Sequence, residues 1–484
     1  MQGERQEVRI ARANVPELVT KELALACVGG RRRFRLSSNF LPMMGFVPGE
    51  RHSVEVPPGM DGMLLKLSGD AGAIKVYERQ YHNRRHNNPF ETVVEVANQR
   101  VLDAAIPAYT ERVHLTLQHG QIVVRPLANR TFSIRRSMRG CTELDAMVAM
   151  TAGVDVRCLA DCGFRIDSIL EYRPQEARDL TDLTETGALN VLANSSPRVL
   201  FNEDITRVNW DRVKGAMADG PPIAVLHVSL QCDDFSKAKG RALKAAATED
   251  LSTSRDLVYD ALRMIETIQP ASVIVENVPG FAESGEGALL KVKLQRWGYH
   301  VQDGKLQAGA FGGLTKRERY YLVASVWPGF EMPQASGSRR QAWASIEDLV
   351  GQCRDVSHTT SVQEGLKSGR IRLLRPGDAL APTILKSQGR QTKDSVYIAM
   401  PDGRYLLPTL QMQMRLNGIG DDFDLGCVSQ AVGSEIVGQS IDVEMHRALA
   451  ASVHAHISRN VGAHVAVGVS AVPGSPAGMR SPRR

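Results

Sequence analysis

Ala271-Ser272-Val273-Ile274-Val275-Glu276-Asn277-Val278 is a short apolar run that ends on a carboxylate and an amide. A run of this length, rich in β-branched residues, predicts a buried strand with Glu276 at its end. Upstream, Ala224–Val228 predicts a second strand, followed by Leu230-Gln231-Cys232-Asp233-Asp234-Phe235-Ser236. Downstream, Thr315-Lys316-Arg317-Glu318-Arg319 leads into a third apolar run, Tyr320–Val326. Amphipathic helices are expected between them, at Leu257–Ile268 and from Gly287. Strand and helix alternate from Asp145 to about Trp327, which predicts an α/β, doubly wound parallel sheet. Ligands bind such sheets at the carboxyl ends of the strands, where Cys232 and Glu276 fall. A thiol, an acid and a pair of fixed cations therefore converge on one edge.

Composition bounds what surrounds this sheet. The chain has 484 residues and 43% apolar content, enough for two or three domains with real cores. A net charge of +6 permits nucleic-acid binding without requiring it. Seven scattered cysteines, an odd number, argue against a disulfide framework, and no CxxC pair suggests zinc. No apolar run is long enough to span a bilayer and no secretory leader is apparent, so a reducing cytoplasmic setting is expected. That setting suits a free thiolate.

Five segments are expected. Residues 1–140 form an N-terminal, mostly β domain, with alternating runs at Arg33–Leu36, His52–Val56, Met63–Leu67, Ala73–Tyr77, Val113–Leu117 and Gln121–Val124. Residues 141–327 form the α/β domain. Residues 328–403 are less regular and carry many Arg and Lys among Gly, Ser and Thr, as suits a small DNA-recognition lobe. Residues 404–460 return to helix, with a last helix at about Val443–Ile457, and 461–484 read as a disordered tail. Within the first segment, Phe34–Arg51 reads as strand, short helix, Pro-Gly turn and strand. It resembles the swapped-hairpin barrels of the AbrB/SymE type. The resemblance implies dimerisation or added DNA contacts.

The order of motifs from Asp145 to Ile457 resembles that of the DNA (cytosine-5) methyltransferases. Ser272–Phe281 resembles the family's Glu-Asn-Val motif, Phe311–Ser325 its Gln-x-Arg-x-Arg motif, and Gln231–Gly240 its Pro-Cys-Gln loop. Pro401–Phe423 resembles the helix and turn after the recognition region, and Val437-Gly438-Gln439-Ser440-Ile441 the Gly-Asn motif beside the cofactor. The residue types suit the roles this implies. Cys232 would attack C6 of a cytosine lifted from the stack, because the thiolate is the nucleophile. Glu276 would hold a proton to N3, Asn277 would hold the loop, and Arg317 and Arg319 would grip the ring oxygen. Lys237, Lys239, Arg241 and Lys244 would clamp phosphates of double-stranded DNA, with Arg370, Arg372 and Arg390 added from the lobe. Taken singly, each signal is weak: a lone Cys in an α/β protein is most often a core residue.

The resemblance also implies a methyltransferase-type sheet dependent on S-adenosylmethionine. Gly153 remains of the glycine-rich turn, Glu171 would hold the ribose hydroxyls, Tyr172 the adenine face, and Asp204-Ile205 the adenine edge. Gly438, Gln439 and Ser440 would close the site. Several departures set this chain apart. Gln231 replaces Pro and should loosen or re-aim the loop. Asp233 replaces Gln and should disfavour the thiolate. Asp155 replaces a glycine and should repel the methionine carboxylate. Thr315 and Gln439 replace Gln and Asn. Three readings follow: C5 methylation of cytosine through a covalent Cys232 adduct, a catalytically impaired relative that binds DNA, or C5 modification with an altered donor.

Overall fold

The computed structural model describes residues 15–70, 73–81, 89–175, 182–236, 240–249, 253–337 and 340–467. The chain divides into two units at Ser133/Ile134. In the first, β1 (Val19–Ala24), β2 (Ala26–Val28), β3 (Arg31–Ser37), the short helix α1 (Phe40–Met43), β4 (Arg51–Glu55), β5 (Met63–Leu67), β6 (Ile74–Lys75), β7 (Tyr77–Gln80), β8 (Phe90–Val96), α2 (Gln99–Ala105), β9 (Arg112–Gln118) and β10 (Gln121–Pro126) follow in order. They make a six-stranded sheet, β1-β9-β10-β5-β4-β6, and a four-stranded one, β2-β3-β8-β7. The alternation in β9 is the reason: Val113, Leu115 and Leu117 face in while the residues between them are more exposed. Phe34, Leu36, Val94, Leu65 and Leu115 from both sheets share one core. The strand, helix, turn and strand expected at Phe34–Arg51 are present as β3, α1 and β4, with β3 and β4 in different sheets.

The helix α3 (Arg130–Ser137) leads into the second unit. There β11 (Leu144–Ala149), α4 (Val154–Asp161), β12 (Phe164–Leu170), α5 (Thr186–Asn194), β13 (Val199–Phe201), α6 (Trp210–Met217), β14 (Ile223–Ser229), α7 (Arg241–Glu249), α8 (Leu257–Ile268), β15 (Ser272–Asn277), α9 (Gly285–Arg296), β16 (His300–Gln307) and β17 (Glu318–Ser325) build a seven-stranded sheet. Its order is β13-β12-β11-β14-β15-β17-β16. Every residue of β11 and β15 is buried, so both faces of the sheet are covered. Helix α8 shows how: Val258, Ala261, Leu262, Met264 and Ile265 form its buried stripe. Each such large side chain contributes about 1.5–3 kcal/mol.

The sheet departs from the expected parallel arrangement at one edge. β17 pairs antiparallel with β15, and β16 antiparallel with β17. β16 was not expected at all. Its sequence, His300-Val301-Gln302-Asp303-Gly304-Lys305-Leu306-Gln307, is mostly polar because it is the edge strand, with little to bury.

The region after β17 is more ordered than its composition predicts. β18 (Arg354–Asp355), α10 (Thr360–Ser368), β19 (Arg372–Leu374), β20 (Val396–Ala399) and β21 (Tyr405–Leu407) supply a sheet of order β18-β21-β20-β19. Leu374, Ile384, Val396, Ile398 and Leu406 pack in its core with Met412 and Leu416 of α11 (Leu410–Leu416). The lobe's sheet thus takes in Tyr405–Leu407, beyond the expected limit at residue 403. Helices α12 (Gln430–Gln439) and α13 (Val443–Val467) complete the unit. α13 outruns the predicted helix because Val461 is still buried against the main core. Of the expected tail, 461–467 are therefore helical and 468–484 lie outside the described residues. Among the described residues no helix is long and apolar enough to cross a membrane.

Candidate active site

The strand order reverses between β11 and β14, and a cleft of ≈ 680 Å³ opens there at the carboxyl ends of the strands. It is lined by Thr151 and Asp155 after β11, Glu171 and Tyr172 after β12, Asp204 and Ile205 after β13, Gln231, Cys232 and Asp233 after β14, and Glu276 at the end of β15. Arg319, Lys386, Gln439 and Ser440 complete the wall. The candidate nucleophile and acid thus share one cavity with the candidate cofactor residues.

Cys232 sits in a tight turn whose Cys232 carbonyl accepts from Phe235 N at 3.1 Å and Ser236 N at 2.9 Å. Burial pushes its thiol up, Arg319 opposes this, and Glu276 and Asp233 add to it. Burial, not Asp233, is the larger cause. Glu276 Oε1 lies 2.7 Å from Nε of Arg319. Asn277 ties two strand ends together: its Nδ2 donates to Leu230 O at 3.2 Å and its Oδ1 accepts from Val278 N at 2.8 Å.

Arg317 stands elsewhere. It is fully buried and does not line the cleft. Its guanidinium donates to Ile384 O at 3.1 Å, to Gly438 O at 3.2 Å and to Ser440 O. Burial, with Arg319 adding, pulls it down to about 9. Of the two arginines expected to grip a base, only Arg319 lines the cleft, while Arg317 joins the lobe to the end of α12. Gly438 is spent on the same junction. A Cβ there would run into the Leu385 carbonyl, so the residue permits backbone approach and does not itself line the cleft.

In the other half, Gly153 opens α4 at φ 107°, a backbone conformation suited to glycine. Its N–H donates to Thr151 Oγ1 at 3.0 Å. Glu171 Oε2 accepts from Thr151 N at 2.8 Å. Burial is the main cause that pushes Glu171 up to about 8, with Asp155 adding to it. Asp204 Oδ1 accepts from the N–H and hydroxyl of Thr206, at 3.0 and 2.8 Å. Tyr172 leaves its ring exposed at the rim.

The departures turn out to be partnered. Gln231 Nε2 donates to Asp233 Oδ2 at 3.0 Å, and Lys386 Nζ lies 2.6 Å from the same oxygen. The loop without its proline is therefore tied down, and the charge beside Cys232 is offset. Asp155 Oδ1 accepts from Val156 N at 3.0 Å and from Thr151 Oγ1, and its Oδ2 is 3.2 Å from His227 Nδ1. Burial alone would push this carboxyl up, but the hydrogen bonds and charge from His227, with that from Thr151, hold it below its ordinary value. His446 packs edge-on against His227 at 4.8 Å, with its Nδ1 3.2 Å from the Tyr321 hydroxyl. Burial, then His227, pulls His446 down to about 3. His227 was missed in the sequence because it sits in an apolar stretch that reads as core, and His446 because it stands between Glu444 and Arg447 in a stretch that reads as an ordinary helix. Lys386 was missed as one cation among many.

Of the expected phosphate contacts, Lys237, Lys239 and the side chain of Arg241 lie outside the described residues. Lys244 is half-buried in α7. Arg370 pairs with Asp394 at 2.5 Å, and Arg372 donates to Thr383 O at 3.1 Å. Arg390 is exposed.

Sheet order and cleft together define an α/β protein with a ligand cleft at the switch point of its central sheet. Residues 200–367 match the model of the C-5 cytosine-specific DNA methylases. It is similar to the Type II methyltransferase M1.BsuMI of Bacillus subtilis (strain 168), 35% identical over 204 residues, which cover 39% of this chain and 46% of that protein. It is also similar to the Type II methyltransferase M.MspI of Moraxella sp, 39% identical over 124 residues, covering 25% and 27%. The chain thus spans less than half the length of these curated relatives. The Entamoeba histolytica methyltransferase EhMeth shares the fold at TM-score 0.50 and 13% identity, over 65% of this chain and 99% of that one.

Proposed function

We propose that this chain methylates C5 of cytosine in double-stranded DNA, with S-adenosylmethionine as the donor. The observation that carries the reading is that Cys232, Glu276 and Arg319 line the same cleft as Glu171, Tyr172 and Asp204. The cleft suits an S-adenosyl group. Glu171, a carboxyl that keeps its proton near neutral pH, can exchange hydrogen bonds with paired ribose hydroxyls. Tyr172 offers a ring face and Asp204 an acceptor for an amino group. When bound, the donor supplies an electrophilic methyl carbon.

The chain's own residues do the rest. Cys232 gives up its proton and its sulfur bonds to C6 of a flipped cytosine. Glu276 holds a proton at N3, which lets electron density move to C5. Arg319 orients Glu276 and faces the ring from the same wall. C5 would take the methyl group as the donor's sulfur–methyl bond breaks and leaves a thioether. C5 would then lose its own proton to solvent as the C6–S bond breaks, and the released Cys232 thiolate would take back a proton. Asn277 keeps the ends of β14 and β15 in register throughout.

The test is mass spectrometry of nucleosides from cells that make wild type or Cys232→Ser. Methylcytosine present in the first and absent in the second is expected. A second reading, a DNA-binding protein without turnover, is favoured by the burial that pushes the Cys232 thiol up. It predicts no new nucleoside in either sample while the folded protein still binds DNA.

A further inference from the structure

Asp155 is a buried acid that this mechanism leaves unused. It lies in the first turn of α4, where the strand order of the sheet reverses. A helix N-terminus at such a point ordinarily offers its N–H groups to a ligand's anion. Here the chain supplies the anion itself. Asp155 Oδ1 takes the Val156 N–H and the Thr151 hydroxyl, and Oδ2 faces His227 Nδ1 at 3.2 Å. His227 is wholly buried, and apart from the 3.2 Å approach of Nδ1 to Asp155 Oδ2 neither ring nitrogen has a hydrogen-bond partner among the described residues. The ring therefore serves to seat the carboxylate.

A second acid is fixed to the same residue, since Thr151 N donates to Glu171 Oε2 at 2.8 Å. Asp155 and Glu171 both line the cleft, bridged by Thr151. Glu171 keeps its proton near neutral pH, so the charge on this wall is that of Asp155, which repels a carboxylate and attracts an ammonium group. Building on the S-adenosyl reading above, we infer that Asp155 is a specificity-determining residue: it reads the amino-acid end of the donor through its ammonium group, and the donor's carboxylate has no seat at α4.

Titration calorimetry on the full chain tests this with three probes. One is S-adenosylhomocysteine, the second its decarboxylated analogue with an aminopropyl tail, the third its deaminated analogue with a carboxypropyl tail. For wild type, the aminopropyl compound should bind within about threefold of the parent, and the carboxypropyl compound at least about tenfold more weakly. In Asp155→Asn, and in Asp155→Gly, the gap between the two analogues should shrink by about tenfold or more. A gap left unchanged by both substitutions overturns the inference. So does a carboxypropyl compound that binds wild type as well as the aminopropyl one, a result that needs no variant to fold. If the parent compound binds and only the order is wrong, the inference alone is lost. If no probe binds wild type, the S-adenosyl reading falls and takes the inference with it.

Discussion

Glu171 shows at the scale of one residue what burial does to this site. Its carboxyl is raised to about 8, chiefly by loss of water. In the unfolded chain it titrates near its ordinary value, so between about 4.5 and 8 the folded form holds the extra proton. Its contribution to stability is complete at low pH and is lost as pH rises through 8. Wild type should therefore lose up to a few kcal/mol relative to Glu171→Gln between pH 5 and 8.5, measured by urea unfolding. Parallel curves for the two proteins would show that Glu171 is ionised in the folded state. Glu171 was legible as a candidate from its resemblance to the family's acidic residue at the end of an apolar strand. Its proton was not, because that depends on burial in the folded chain, with Asp155 adding to it and the Thr151 N–H opposing it. The same contrast separates Arg319 from Arg317. Two arginines two positions apart at the start of one strand read alike, yet one lines the cleft and the other donates to three carbonyls.

At the scale of elements, the central strands were readable and the edge was not. β14 and β15 bury every side chain or nearly so, and continuous apolar runs announce them. β16 buries little and announces nothing. Helix α12 carries a prediction of its own. Gly→Ala inside a helix ordinarily stabilises by about 0.5–1 kcal/mol. At Gly438 the added methyl would collide with the Leu385 backbone, and overpacking of that kind costs about 1–3 kcal/mol. The collision should win, so Gly438→Ala is expected to be net destabilising, with the denaturation midpoint lowered. A raised midpoint would mean that the segment carrying Leu385 yields without cost. That junction also holds Arg317, so a shift there should loosen the lobe's hold on Ser440 at the cleft.

At the scale of the molecule, the two units have separate cores, one around Leu115 and one around the seven-stranded sheet. Leu115 is fully buried, and Leu115→Ala should cost about 2–5 kcal/mol within the first unit. Hydrogen exchange should then quicken in β5, β9 and β10 and stay unchanged in β11, β14 and β15. Equal loss of protection in both sets would show one cooperative unit instead of two.

The central strands and helices of the second unit, and Cys232, Glu276 and the Arg317/Arg319 pair as candidates for the reactive set, were legible in the sequence alone. Apolar periodicity and side-chain chemistry are local properties and can be read one stretch at a time. Tertiary structure decided the antiparallel edge, the burial of Arg317, and the partners of Asp233 and Asp155. Those outcomes rest on contacts between residues far apart in the chain, 121 positions for Arg317 and Gly438 and 153 for Asp233 and Lys386. Many of the acceptors are backbone carbonyls, which every residue carries and no sequence pattern marks.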